Sequence, residues 1–317
     1  MIIPSHITQY VSLANKNWFC TGGSARWYSE PQTIQECSEA IVWAHAHAIP
    51  LFFLGLGANT LVSDNGFDGL VIKIGIKTIT MREDADSVFV TAGAGATIEE
   101  LIQYSLEHNA IGMEEFSGIP GTVGGSVFIN IHYFEFFIAR FLTEAQLVHT
   151  VDGSICTVDK EWFNFGYDYT TLHTQPYAVI SATFALKKCT ATESAYAAGR
   201  SYEIIRHRTH RYPSVYTCGS FFKNFDEKDI TVLINGKKIT AIAYYLDKLG
   251  LKGTLSCGGA SVSTKHANMI VSSPRATTAD IVAVARIMQQ SVYEAYGLMP
   301  QSECRFLGFD KNPLMHI

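Results

Sequence analysis

Hydrophobic and polar positions change period several times along the chain, and each change marks an element. In "TIQECSEAIVWAHAH" (33–47) apolar residues recur at helical spacing behind Thr33 and Glu36, a capping-box pair, so an amphipathic helix is predicted. "IPLFFLGLG" (49–57) reads as a buried strand stopping at glycine, and "GLVIKI" (69–74) as a second strand after the turn "SDNGFDG". "SVFVTAGAG" (87–95) is a further strand, followed by a helix in "TIEELIQYSLEHN" (97–109) with a second capping box at Thr97 and Glu100. A glycine-proline loop comes after Gly112, then "EAQLVHTVDGSICTV" (144–158), a hairpin turning at Asp152-Gly153, and the strand "YAVISATFALKK" (177–188). The pattern changes at "KCTATESA" (188–195), where a domain boundary is placed. Beyond it the chain predicts a helix to about Arg208, a helix in "ITAIAYYLDKLGLKG" (239–253) ended by Gly250, and a strand in "ANMIVS" (267–272). A last helix, "ADIVAVARIMQQSVYEAYG" (279–297), is capped by Gly297. The fold class expected is α+β in two domains, 1–190 and 191–317.

A length of 317 residues agrees with two cores rather than one. Hydrophobic residues make up 47% and charged residues 17%, the composition of a globular protein. A net charge of −5, with no basic run, argues against a nucleic-acid or anionic-membrane partner held by charge. The first residues lack a cationic start followed by an apolar block, so no secretory signal is expected. "AIPLFFLGLGA" is too short and too broken by glycine to span a bilayer. The 7 cysteines are scattered, without a Cys-x-x-Cys pair, which predicts reduced thiols and a cytoplasmic setting. His45 and His47 fall on different faces of a helix, and His207 and His210 lie among arginines, so no metal site is expected.

Glycines concentrate in "GLGANT" (55–60) and "GIPGTVGGS" (118–126). Such loops turn backbone N–H groups toward a ligand and let the chain approach it closely, as a diphosphate requires. The first leads into a strand rather than a helix, against a doubly wound nucleotide fold, and no Gly-Lys-Ser/Thr occurs. Tight turns between packed strands fit the same residues. In "YTCGSFFKNF" (216–225) a hydroxyl, a thiol and a lysine sit together. Taken alone, Ser220 reads as a turn serine and Glu303 as a surface carboxylate or a partner of Arg305. Gly219-Ser220-Phe221 is not a Gly-x-Ser-x-Gly elbow, and no histidine is placed as a base for Cys218.

"LGLGANTLVSDNGFDGLVIKI", "AGAGATIEELI", "GMEEFSGIPGTVGGSV", "GSFFKN" and "SECRFLG" occur in this order. Together they resemble the UDP-N-acetylenolpyruvoylglucosamine reductases, the MurB family, in its shorter second type. The resemblance runs from "WFCTGGSARWYSEP" to "RFLG". It implies an FAD-binding PCMH-type (vanillyl-alcohol-oxidase-like) domain followed by a smaller α+β substrate-binding domain. It also implies reduction of UDP-GlcNAc-enolpyruvate by NADPH through non-covalent FAD, in peptidoglycan precursor synthesis. FAD is expected on Gly55, Leu56, Gly57, Ala58, Asn59 and Thr60, and on Gly118, Ile119, Pro120, Gly121, Thr122, Gly124 and Gly125. The resemblance makes Ser220 the proton donor to the substrate enolate, Glu303 the carboxyl that stabilises the enol, and Tyr167, Lys223 and Asn224 substrate-binding residues. The expected partner is the UDP-sugar, with no nucleic acid, no membrane and a monomeric chain.

Two segments depart from the pattern. In "FGYDYTTLH" Asp168 stands where the resemblance places an arginine that binds the substrate carboxylate, so the sign of that contact is reversed. In "FINIHYFEFFIARF" Asn130 remains, but bulky residues replace small ones beside the flavin. Either Arg140, Arg206, Arg208 or Arg211 supplies the missing charge, or the chain is slow, altered in substrate or no longer catalytic. The alternatives are a flavin-binding relative with a binding or regulatory role, and a flavoprotein oxidase of the same superfamily acting on another substrate. His132 is the histidine nearest the glycine loops for a covalent flavin link.

Overall fold

In the computed structural model, which describes residues 2–230, 233 and 236–314, the chain divides into two compact units, each assembled from separate stretches. The first takes Met1–Tyr10, Arg26–Leu56 and Asp68–Arg208; the second takes Val11–Ala25, Gly57–Phe67 and Thr209–Ile317. No helix among the described residues is long and apolar enough to cross a membrane.

The first unit holds two sheets. Strands Ile7–Ser12, Ser24–Ser29, Phe67–Ile72 and Leu51–Phe53 lie in that order, the last two parallel with Leu51 opposite Leu70. The larger sheet orders Ile155–Asp159, Leu142–His149, Tyr177–Lys188, Ser87–Gly93 and Ile79–Glu83, all antiparallel. The expected hairpin at Asp152-Gly153 joins its first two strands. Val88, Val90 and Ala92 alternate inward along Ser87–Gly93 and meet Ile98, Leu101 and Ile102 in one apolar cluster.

Helix α1 (Ile34–Ala46) buries Cys37, Ala40, Ile41 and Ala44, with Trp43 edge-on to Trp27 at 5.1 Å. Helix α2 (Ile98–Glu107) starts at the predicted capping box, Thr97 and Glu100 each satisfying the other's backbone. At Thr33 half of the box forms: its hydroxyl accepts from Glu36 N, and the Glu36 carboxylate takes Gln32 N instead. A short helix α3 (Val123–Phe128) interrupts the glycine loop and is capped by Thr122. Helix α4 (Ala191–Arg211) begins where the sequence pattern changes, yet the compact division falls after Arg208. The cause is local: Ser194 Oγ donates to Leu106 O at 2.5 Å, Ser201 bonds Ser117, and Arg200 grips Glu115.

The second unit is built on α5 (Ile242–Lys248) and α6 (Thr278–Tyr296). Its core joins Ile281, Val284, Ala285, Met288 and Val292 to Tyr245, Leu246, Phe221 and Phe222, and to Phe19 and Leu61 from far upstream. Strands Ser256–Cys257, Ala260–Val262 and Ile270–Ser272 form a small antiparallel sheet, and Arg305–Leu307 runs parallel to Thr60–Val62. Gly297 ends α6 in the left-handed conformation, φ +68°, as predicted.

Candidate functional site

Of the residues expected to hold FAD, Gly55, Leu56 and Gly118–Gly125 belong to the first unit, and Gly57–Thr60 to the second. Within the first unit the two loops touch. A Cβ on Gly55 would lie 2.8 Å from Thr122 Oγ1, and one on Gly124 would lie 2.9 Å from Ala94 Cβ. Thr122 holds this corner: its hydroxyl accepts from Gly125 N, and its backbone bridges to Thr97. Val123 N and Gly124 N donate to Ala96 O and Ala94 O, pinning the second loop to the strand end. The N–H groups of Gly55–Asn59 make no hydrogen bond among the described residues, and neither do those of Gly121 and Thr122. Asn59 Oδ1 and Ser126 Oγ are buried without a hydrogen-bond partner. Within the first unit, the unused donors of Gly55, Leu56, Gly121 and Thr122, the orphaned Ser126 oxygen and the close approaches that a Cβ would fill are what a diphosphate-bearing cofactor needs. The residues fit FAD.

In the second unit two expected residues come together. Ser220 follows Gly219, whose φ of +78° turns the chain, and Phe221 and Phe222 then anchor the segment in the core. Lys223 N donates to Gln301 O at 2.8 Å and Glu303 N to Phe221 O at 2.9 Å, on either side of the Phe222–Ser302 bridge. This ladder sets Glu303 beside the Ser220–Phe221 segment. Lys223, two residues past Phe221, is half-buried; Asn224 is exposed, and its Oδ1 accepts from Ile242 N at 3.4 Å. Asn59 Nδ2 reaches Glu303 O at 3.2 Å.

One residue outside these expectations positions the strand. Buried Asn268 donates to Phe222 O at 2.7 Å and accepts Phe222 N at its Oδ1, while its own carbonyl accepts Phe221 N. Its signal in the sequence is a single amide inside the apolar run "ANMIV". Cys218 and Cys304 flank the pair. Burial, then the hydrogen bond to Cys304 and the charge of Glu303, push the Cys218 thiol up.

The departure at 168 lies in the first unit. Asp168 is 6% exposed and takes a left-handed φ of +48°, a region aspartate tolerates better than most residues. Tyr167 is half exposed and packs on His132, ring centroids 4.7 Å apart; His132 also stacks on Phe137. Burial pulls the His132 pKa below its usual value, against the pull of Asp168 and of a hydrogen bond with the Asn130 backbone. Arg206 pairs with Glu203 at 2.7 Å, Arg140 lies over Phe136, Arg208 over Tyr133, and Arg211, in the second unit, over Tyr212. Among the described residues no group of three histidines, cysteines or carboxylates could hold a metal ion.

An FAD binding domain matches residues 25–159, and the C-terminal domain of UDP-N-acetylenolpyruvoylglucosamine reductase matches residues 210–307. UDP-N-acetylenolpyruvoylglucosamine reductase of Acaryochloris marina is 34% identical over 306 residues, 95% of this chain and 93% of that protein. The enzyme named UDP-N-acetylenolpyruvoylglucosamine reductase 2 of Bacillus cereus is 31% identical over 308 residues, 96% of this chain and 94% of its own length. The crystal structure of UDP-N-acetylenolpyruvylglucosamine reductase from Thermus caldophilus superposes with a TM-score of 0.75 at 26% identity, covering 94% of this chain and 98% of that one. Its fold therefore joins a PCMH-type FAD-binding domain to a MurB C-terminal domain, and the chain belongs to the family of UDP-N-acetylenolpyruvoylglucosamine reductases, flavin-dependent oxidoreductases.

Proposed function

We propose that this protein reduces UDP-GlcNAc-enolpyruvate to UDP-N-acetylmuramate, with NADPH as hydride source and non-covalent FAD. The observation that supports this reading is the pairing of Phe221–Lys223 with Gln301–Glu303, in which Glu303 N bonds the carbonyl of Phe221, the residue next to Ser220. Residues 1–190 would hold FAD and 191–317 the sugar nucleotide, and the chain would work as a cytoplasmic monomer. FAD, when bound, accepts hydride from NADPH and delivers it to the enolpyruvyl double bond.

The remaining steps belong to the chain. Hydride addition at one carbon leaves an enolate at the next, which needs a proton. Serine is a weak acid, but an enolate is basic enough to take its proton if the resulting alkoxide is held by nearby donors or positive charge. Ser220 is half-buried, and the Phe221–Lys223 segment that follows it is held by Asn268 and Gln301. It donates that proton, and Lys223, three residues on, supplies positive charge. Glu303 stabilises the enol, and Tyr167 and Asn224 contact substrate. Gly55–Thr60 and Gly118–Gly125 would hold FAD, with the N–H groups of Gly55–Asn59, Gly121 and Thr122, which make no hydrogen bond among the described residues, as its donors.

Asp168 favours a second reading, a slower enzyme or one with an altered acceptor. Losing one preorganised charge-stabilising donor costs about 3–4 kcal/mol, or roughly 100- to 1,000-fold in rate. The test separates two half-reactions by stopped-flow absorbance. Ser220→Ala should keep NADPH-driven bleaching of the flavin and lose reoxidation by the enolpyruvyl substrate. Equal loss of both steps contradicts the donor role, and a protein that neither binds FAD nor oxidises NADPH sinks the reductase reading.

A further inference from the structure

We propose that His173 is a positioning residue for the reaction: together with Thr170 it clamps the carbonyl of Phe128, so that the glycine loop running into α3 and the turn carrying Tyr167 and Asp168 hold one geometry. Its effect on the enolpyruvyl substrate rests on the function proposed above; its effect on FAD affinity rests on the glycine loops alone.

The need for a clamp follows from α3 itself. A helix leaves its last four carbonyls without partners inside it. Gly125 O, Ser126 O and Val127 O are met by Ile129 N at 3.3 Å, Ile131 N at 2.8 Å and Asn130 N at 3.1 Å. The fourth, Phe128 O, takes two side chains from another segment: Thr170 Oγ1 at 2.9 Å and His173 Nε2 at 3.0 Å. A carbonyl only accepts, so Nε2 carries the proton in this contact. The imidazole also stacks on the Phe128 ring, centroids 4.3 Å apart and planes at 23°, with Tyr169 edge-on to it at 5.3 Å. Thr170 is fully buried and precedes the single turn Thr171–His173 without capping it, because its hydroxyl is committed to Phe128.

The same short stretch anchors the other flank of the turn. Tyr167 and Asp168 form its tip, closed by Gly166 N donating to Tyr169 O at 3.0 Å. Gly166 O accepts Asn130 Nδ2 at 2.8 Å, and Asn130 Oδ1 accepts Ala139 N at 3.3 Å. Residues 128 and 130 therefore hold the turn from both sides. Helix α3 is 6 residues long, about 9 Å by its rise. At its far end lie the Gly121 and Thr122 N–H groups, which make no hydrogen bond among the described residues. With Gly124 and Gly125 inside it, so short a helix has little stability of its own. What holds its ends sets its place: Ala96 O and Ala94 O at one, Thr170 and His173 at the other. Without the imidazole, Phe128 O keeps one bond of two. The end of α3 then loosens, and the loop donors and the Tyr167 tip lose their shared reference.

The test titrates full-length apoprotein with FAD and follows the quenching of flavin fluorescence. His173→Ala should raise the FAD dissociation constant about fivefold, the equivalent of one hydrogen bond. His173→Gln, whose amide nitrogen can reach the place of Nε2, should restore it to within about twofold. In stopped flow at saturating FAD, His173→Ala should raise the enolpyruvyl concentration that half-saturates flavin reoxidation about fivefold and leave the limiting rate unchanged, the mark of lost substrate binding. If His173→Ala folds poorly, Thr170→Val removes the other bond to the same carbonyl and gives the same readout. Unchanged FAD affinity in both variants overturns the clamp. Equal weakening in His173→Ala and His173→Gln overturns the hydrogen bond as its basis. A normal half-saturating concentration beside weakened FAD binding overturns the link to the Tyr167 turn. Wild-type protein that binds FAD but lacks both half-reactions would instead refute the reductase reading, with the titration still valid.

Discussion

Adding a methyl group at Gly55 tests whether the two glycine loops act as one cradle. The new Cβ would lie 2.8 Å from Thr122 Oγ1, inside van der Waals contact. Gly55 is not among the glycines at positive φ, so alanine fits its backbone and the cost falls on the contact. Thr122 is 5% exposed, and its hydroxyl accepts Gly125 N at 3.2 Å, so turning it away forfeits the cap of α3. Losing a threonine cap costs about 1 kcal/mol. If the whole cost reaches the bound state, the FAD dissociation constant rises about fivefold. Titrating apoprotein with FAD and following the quenching of flavin fluorescence measures it. Thr122→Ala removes the same cap and also the atom that Gly55→Ala strikes. The double variant should therefore bind FAD about as Thr122→Ala does, leaving a coupling of about 1 kcal/mol in the cycle. Strictly additive effects, or unchanged binding in Gly55→Ala, would show that the loops do not share this corner.

Other outcomes follow from features of each unit. Thr97→Ala removes a complete capping box and should lower stability by about 1 kcal/mol in urea titrations, with the slope unchanged. Burial, then Arg211 and Lys252, pull His266 down to about 4. Its Nδ1 accepts Asn268 N at 3.3 Å, which requires that nitrogen to be unprotonated. The folded pKa lies below the unfolded value of about 6.5. This contribution is therefore complete above pH 6.5 and is lost as pH falls toward 4. Melting temperature should drop across that window, and His266→Gln should flatten the drop; identical profiles would remove His266 as the cause. Asn268→Ala should weaken substrate reoxidation of the flavin at least tenfold while NADPH still bleaches it, since the amide holds Phe222, two residues past Ser220.

Much of the architecture was legible where the deciding forces are local. The capping box of α2, the Asp152-Gly153 turn and the glycine ending α6 each rest on neighbours within a few residues. Helix α3 was not legible: its two glycines each lower helix propensity by about 1 kcal/mol. It forms because Thr122 caps it and Val123 and Gly124 hang from Ala96 and Ala94. Asn268 looked like an interruption of an apolar run, because its three bonds go to Phe221 and Phe222, far upstream. The pairing of the segment after Ser220 with Glu303 could not be read from spacing, since pairing across such a separation is tertiary. The same holds for segments 11–25 and 57–67, which carry no local mark of the unit they join.

That last feature bears on how the polypeptide is made. Phe19 and Leu61 are synthesised early, yet the cluster they complete awaits α6 and Cys304, near the other end. Strand Thr60–Val62 likewise waits for Arg305–Leu307, a parallel pairing closed across most of the chain. Contacts of such separation form slowly, because their loop-closure entropy comes due before they reward it. On the ribosome the first unit has its sequence in full once Arg208 emerges, whereas the second holds two apolar pieces in waiting until Arg305–Leu307 emerges. A fragment beginning at Thr209 would lack Phe19 and Leu61, so the second unit cannot be isolated by truncation and would need a redesigned chain order to stand alone.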